Sequence, residues 1–364
     1  MRTEFSKIVL NLLQLALAVL KGTHSIKTRP VTVICTWPFT NATDTAWDVL
    51  EGRSFIGGNE YMGSAMAAVV AGCTSAEEDR NIHSVGYGGS PDEEGSTTLD
   101  AMVMDGETME VGAVASMPDI REAAQVAFEV LASTKHTLLV GKYATEFAKS
   151  RGFKVQSLDT PESREVWKQW RSNRCQPNYR KEGQWIPDPT KGCGPYRPNY
   201  EVDQPRVPEG FRPTYTVDRN QHDTIGLIAI DHYGSMAVGL STSGAIHKIP
   251  GRVGDTPIPG AGGYVDNRVG GAVGTGDGDV MMRFLLSFQT VQRMKEGLSP
   301  KKACEESLLT VKQPGTWSGA LVALTASGDY GAACVGFGVF HVSVRTADTG
   351  NASKVIEIPC IVPR

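Results

Sequence analysis

Between residues 158 and 223 the chain loses its periodicity, and nine of its 20 prolines fall there. Each proline fixes a backbone angle and removes an amide donor, so helix interiors and central strands are disfavoured. An irregular connection of that length is uncommon inside a compact domain; it is either functional or a linker. Order returns abruptly at Thr224-Ile225-Gly226-Leu227-Ile228-Ala229-Ile230, an apolar run that reads as a buried strand. The fold must therefore carry the chain from an irregular segment into its core within one residue. Length allows this, because 364 residues suffice for one large domain or two ordinary ones. With 40% hydrophobic and 21% charged residues the chain is globular. A net charge of -4 and a pI near 6.0 argue against a nucleic-acid partner. No apolar run reaches the roughly 20 residues of a membrane span. Many of the 40 glycines lie between 226 and 278, where backbone must approach something closely.

The beginning of the chain reads as an export signal over residues 1–25. Arg2 and Lys7 supply a positive start, Ile8 to Leu20 is mostly apolar, and small residues follow. The alternative is an amphipathic N-terminal helix. Asn41-Ala42-Thr43 and Asn351-Ala352-Ser353 are glycosylation sequons at Asn41 and Asn351. Of seven cysteines none forms a CxxC pair, so no zinc ribbon or other metal site is expected. Seven is odd, so at least one thiol stays single or pairs between chains. Cys175 and Cys193 bracket a Pro-rich loop of the kind a disulfide restrains well. Cys35 sits in an apolar run and reads as a core thiol.

Elsewhere strands and helices alternate. Residues 31–35, 84–89, 98–104, 110–116 and 137–140 read as strands. Residues 44–50, 62–70, 119–131 and 144–151 read as helices. A hairpin joins 224–230 to 236–240 through His232-Tyr233-Gly234-Ser235. Residues 251–276 read as Gly-rich and irregular. Residues 277–296 read as one long helix with Val280, Met281, Phe284, Leu285, Phe288 and Val291 on one apolar face. Pro300 follows a capping Ser299, and three strands close the chain near 320–325, 331–336 and 339–345. Strands in series with helices on each side suggest an α+β fold of stacked sheets covered by helices.

HExxH, P-loop and GxSxG motifs are absent. The Gly-rich pieces 260–263 and 274–276 lack the spacing of a dinucleotide cradle, and Asp277-Gly278-Asp279 lacks the other ligands of a calcium loop. What remains is the junction His222-Asp223-Thr224. A hydroxyl nucleophile needs a base, and a threonine at a chain terminus carries one in its own α-amine. Thr224 is internal, so this chemistry requires cleavage of the Asp223–Thr224 bond, with Asp223 and His222 assisting. The plain alternative is a strand beginning after a linker.

Several separate blocks decide between these readings. His222-Asp223-Thr224-Ile225-Gly226, Ser241-Thr242-Ser243-Gly244, Gly251-Arg252-Val253-Gly254-Asp255-Thr256-Pro257-Ile258-Pro259-Gly260 and Gly274-Thr275-Gly276-Asp277-Gly278-Asp279 follow one another in order. Upstream lie Thr36-Trp37-Pro38-Phe39, Gly86-Tyr87-Gly88-Gly89-Ser90-Pro91-Asp92-Glu93, residues 98–106 and Cys175-Gln176-Pro177-Asn178-Tyr179. Together they resemble the glycosylasparaginases (aspartylglucosaminidases) of the N-terminal nucleophile hydrolase superfamily, from Thr32 to Cys360.

The resemblance implies a four-layer αββα sandwich, made as an inactive precursor. Cleavage before Thr224 would give an α chain, 26–223, and a β chain, 224–364, assembled as a heterotetramer of two of each. The implied activity is lysosomal hydrolysis of the amide between N-acetylglucosamine and asparagine, reached through the secretory pathway, with no cofactor. Related enzymes of the superfamily act instead on free asparagine or isoaspartyl peptides, and a non-cleaving paralogue is a third possibility. By the same resemblance Thr224 is the nucleophile and Thr242 orients it. Arg252 clamps the substrate α-carboxylate, Asp255 holds its α-ammonium, Thr275 and Gly276 form the oxyanion hole, and Trp37 shapes the pocket. Disulfides Cys175–Cys193 and Cys334–Cys360 are implied, while Cys73 and Cys304 match single halves of two further pairs. Ser243 and Asp277 stand where the family has asparagine.

Overall fold

The computed structural model describes residues 30–54, 63–200, 224–312 and 317–362. The expected export signal, His222 and Asp223 lie outside these residues. Two sheets carry the fold. The larger contains β1 (Thr32–Thr36), β2 (Leu99–Asp105), β3 (Val111–Met117), β4 (Leu138–Val140), β7 (Ile225–Ile230), β8 (Met236–Thr242), β13 (Val339–Thr346) and β14 (Lys354–Pro359). Their order is β14-β13-β1-β7-β8-β2-β3-β4, antiparallel except for the parallel pair β3–β4. The smaller contains β9 (Gly263–Asp266), β10 (Gly270–Gly276), β11 (Gly319–Thr325) and β12 (Tyr330–Val335), in the order β12-β11-β10-β9. A small hairpin pairs β5 (Trp185–Ile186) with β6 (Arg197–Pro198).

Side-chain alternation along the strands separates the apolar residues into distinct cores. Val33, Cys35, Ala101, Val103, Leu227 and Ala229 pack with α1 (Thr40–Leu50), α2 (Ala65–Glu78), α3 (Ala123–Ser133) and α4 (Gly141–Ser150). Their sequence neighbours Ile34, Met102, Ile228 and Ile230 point the other way, into a cluster shared with Val273, Ala320, Val322 and Leu324 of the smaller sheet. The opposite face of that sheet, with Ala272, Leu321 and Ala323, packs against α6 (Gly278–Phe284), α7 (Leu286–Lys295) and α8 (Pro300–Leu308). Among the described residues no helix is long and apolar enough to cross a membrane.

Several local expectations are corrected. Residues 84–89 form turns instead of a strand, because Gly86 (φ +71°) lies so close to Glu77 that a β-carbon would fall 2.0 Å from its carbonyl oxygen. The Pro-rich stretch is less irregular than its proline content suggests. It opens with α5 (Pro161–Ser172), where Thr160 and Ser163 form a capping box and Pro161 takes the first turn. Gly-rich residues 263–276 supply two strands: a β-carbon on Gly271 would lie 3.0 Å from Ile228 Cγ2, so close sheet packing favours glycine there. The helix expected over 277–296 is broken at Leu285, which adopts the left-handed conformation (φ 50°, ψ 51°). Val280, Met281 and Val291 of the expected face are buried, but the break shifts the helical phase, leaving Leu285 and Phe288 exposed while Leu286 and Met294 turn inward. The helix expected from Asp119 starts at Ala123, and the edge strand β14 had no apolar signature because its residues are largely solvent-facing.

The cysteines divide as the composition requires. Cys175–Cys193 and Cys334–Cys360 are bonded, and Cys35, Cys73 and Cys304 are free and buried. Asn41 and Asn351 are both exposed.

Glu77 is fully buried on α2, where its Oε1 accepts from Ser241 Oγ (2.6 Å) and Ala124 N (2.9 Å). Burial pushes its carboxyl from 4.5 up to about 8, against those hydrogen bonds. Asp92, Asp100, Asp255 and Asp277 are raised for the same first reason. Acids raised by folding favour the native state below their unfolded pKa, and that stabilisation fades as pH climbs through the folded value. Unfolding free energy is therefore expected to fall between pH 5 and 8 by on the order of a few kcal/mol. Urea unfolding across that range measures it, and Glu77→Gln should flatten the slope.

Candidate active site

The start of β7 sits in the middle of the larger sheet, flanked by β1 and β8. Continuing the β7–β8 register from Ile225↔Ser241 sets Thr224 opposite Thr242, which itself pairs with Asp100. Thr224, Thr242, Arg252, Asp255 and Gly276 line one cleft, together with Gly244 and its neighbours. Residues separated by up to 52 positions thus converge on the junction singled out in the sequence.

Thr224 is nearly buried and closely held. Its N–H donates to Thr275 Oγ1 (3.2 Å), and Trp37 Nε1 donates to the same oxygen (3.0 Å). Trp37 (φ 62°) is edge-packed against Phe337 and Phe340, which fixes the indole direction. Thr36 Oγ1 donates to Thr224 O and accepts from Gly226 N, each at 2.8 Å. Thr242 Oγ1 donates to Ser84 O (3.3 Å) and accepts from Gly244 N (3.0 Å). Gly276 has φ +131°, and a β-carbon there would lie 2.5 Å from Ser318 O, so only glycine fits this bend between β10 and α6.

Across the cleft stands a charged pair. Arg252 bonds Asp279 through Nε (3.1 Å) and Nη2 (2.7 Å). Burial opposes its charge, but Asp279 outweighs that and holds the guanidinium above its ordinary value. The guanidinium rests on glycines: a β-carbon on Gly244, Gly254 or Gly278 would meet its nitrogens at 3.4, 3.0 or 3.3 Å. The glycine concentration in the sequence is here a clearance for an arginine. Asp255 is buried, its Oδ2 has no hydrogen-bond partner, and burial pushes its carboxyl up to about 6, with Arg252 pulling the other way. Asp277 caps α6 by accepting from Val280 N (3.3 Å), so the acid found in place of the family's asparagine serves a helix start. Ser243 Oγ accepts from Ser90 N (2.9 Å), tying the end of β8 to the 86–93 loop.

Four residues at or behind this site drew no role from the sequence. Thr36, Asp279 and Thr256 lie inside the recognised blocks, but hydrogen-bond partners 188 residues away, as for Thr36, leave no local trace. Lys248 falls outside every block and is 1% exposed. Among the described residues no cluster of His, Cys, Asp and Glu has the arrangement of a metal site.

The amino-acid sequence places the protein among known chains. The asparaginase family profile matches residues 13–353, and the chain belongs to that family. A mouse protein named N(4)-(beta-N-acetylglucosaminyl)-L-asparaginase is 46% identical over 329 residues, covering 90% of this chain and 89% of the mouse protein. The rat protein of that name is 47% identical over 303 residues, 83% of each chain. A Drosophila melanogaster protein given the name provisionally is 47% identical over 348 residues, 93% of this chain and 87% of its own.

Proposed function

We propose that this protein hydrolyses the amide joining N-acetylglucosamine to asparagine, after cleaving itself between Asp223 and Thr224. The observation that carries the reading is the position of Thr224: a buried hydroxyl at a strand start, in one cleft with an arginine and an unpartnered carboxylate. In this reading the fold is the four-layer αββα sandwich of N-terminal nucleophile hydrolases, and the mature enzyme pairs two 26–223 chains with two 224–364 chains. It works in the lysosome, reached through the secretory pathway, in the breakdown of glycoproteins.

Each group then has a task. The freed α-amine of Thr224 takes the proton from its own Oγ, which attacks the side-chain amide carbonyl. Negative charge on that oxygen is met by the Thr275 hydroxyl and the Gly276 N–H. The C–N bond breaks, the glycosylamine leaves with the proton, and water releases aspartate from the ester. Thr242 orients the nucleophile, and Trp37 shapes the pocket while holding Thr275. Arg252 suits the substrate α-carboxylate, because a guanidinium fork matches two carboxylate oxygens. Asp255, with an open oxygen, suits the α-ammonium.

Mass analysis of the purified protein tests the cleavage: two fragments are expected, the second beginning at Thr224. Incubation with N-acetylglucosaminyl-asparagine should release aspartate faster than free asparagine does. The reverse preference would make the protein an asparaginase, and a single uncut chain would make it an inactive relative. Asp255 adds a pH signature. Its carboxyl is ionised only above about pH 6 in the free protein, so KM should rise as pH falls below that value. In the complex the bound ammonium keeps Asp255 ionised, so kcat should change less. Steady-state kinetics from pH 4.5 to 7.5 would separate the two, and Asp255→Asn should erase the limb in KM.

A further inference from the structure

Lys248 is among the largest fully buried side chains of the protein. Taking an ammonium out of water is costly unless its charge is used or neutralised. Its Nζ donates to Ser243 O (2.7 Å) and, more weakly, to Thr98 O (3.4 Å). Among the described residues no carboxylate forms an ion pair with it within 4.0 Å. The buried acid whose charge acts on it most is Asp100, whose Oδ1 is taken by Ser116 N (2.6 Å) and whose Oδ2 has no hydrogen-bond partner.

The other cation close by is Arg252. Lys248 Nζ lies 2.9 Å and Arg252 Nη1 3.4 Å from the place a Gly244 β-carbon would occupy. Gly244 lines the cleft beside Thr224 and Thr242. The only Arg252 ion pair among the described residues, to Asp279, uses its Nε and Nη2, leaving the Nη1 edge toward Gly244 and Lys248. Two basic groups therefore converge on one glycine; burial disfavours the lysine's charge, and Asp100 favours it. The carbonyl it grips belongs to Ser243, between Thr242 and the Gly244 N–H that bonds the Thr242 hydroxyl.

We propose that Lys248 is a positioning residue for substrate selection: its charge, beside Arg252 at Gly244, makes the cleft prefer amides whose acyl part carries a free α-carboxylate. The inference rests on the functional reading above and names a determinant of its substrate class. Lys248 does not touch the substrate; it acts through the field at Arg252.

The test compares two substrates on the mature protein: N-acetylglucosaminyl-asparagine and its α-carboxamide, alike in size and lacking only the carboxylate charge. Wild type should favour the acid. In Lys248→Met the KM for the acid should rise about tenfold, the scale of one unit charge removed about 10 Å away at an effective dielectric of about 20, with the carboxamide KM and kcat nearly unchanged. A variant in which both substrates suffer equally shows a structural lysine and overturns the proposal. Lys248→Gln removes the charge but keeps a donor for the Ser243 carbonyl, and it serves if Lys248→Met does not fold. The same rise in KM for the acid alone is expected, and a preference unchanged from wild type overturns the proposal. A wild-type protein inert toward both amides would instead fell the functional reading, and this inference with it.

Discussion

Thr224→Ala is expected to give one uncut polypeptide and to lose hydrolysis by at least about 10⁴-fold, as removal of a covalent nucleophile does in other hydrolases. Both losses have one origin. The hydroxyl is the group that would break the chain before it and the group that would attack the substrate afterwards. Folding itself should survive, because Thr224 contributes a small side chain, while its backbone bonds to Thr36 and Thr275 do not need the hydroxyl. Denaturing electrophoresis, thermal unfolding and an aspartate-release assay on one preparation separate these effects. Thr224→Ser keeps the oxygen and should keep both reactions at reduced rates. An alanine variant that is still cut before residue 224, or still hydrolyses the conjugate, would remove the central claim.

The second large effect is expected at Thr275. Its Oγ1 is fully buried and gathers two donors, Trp37 Nε1 at 3.0 Å and Thr224 N at 3.2 Å. Valine preserves its shape and deletes only the oxygen. The two donors would be left without that acceptor, and the proposed oxyanion would lose a hydrogen bond. A loss of about 100- to 1000-fold in kcat follows from the oxyanion role, with KM changed much less. A rise confined to KM would instead assign Thr275 to ground-state binding. Leaving buried donors unpaired also costs about 1–3 kcal/mol each, so a lower melting temperature should accompany the kinetic defect.

Much of this site was legible because its residues sit in short, tightly ordered blocks. Arg252 and Asp255 stand three apart, Thr275 and Gly276 adjoin, and Thr224 follows an unmistakable change in chain character. Strand β7 was readable for the same reason, as an apolar run with no helical period. Where expectations failed, distant packing overrode local preference. Glycines that read as irregular chain form β9 and β10, because the facing strand leaves no room for side chains. The helix α5 hid in a Pro-rich stretch, although Thr160 and Pro161 mark its start. Phe288 sits on what looked like one apolar helix face until a left-handed residue at 285 turns the later part of that face. Lys248 was silent because its partners are the carbonyls of Ser243 and Thr98, which any residue could supply.

The strand order of the larger sheet has a mechanical consequence. Strands from before and after residue 224 are interlaced: β1 is clasped between β13 and β7, and the pair β7–β8 is clasped between β1 and β2. A nick at that junction would sever the polymer without loosening the object, since neither piece can be lifted away without unzipping ladders on both of its sides. The two pieces would travel as one particle through any separation that leaves the sheet intact, and each made alone would expose the open edges that the other now covers.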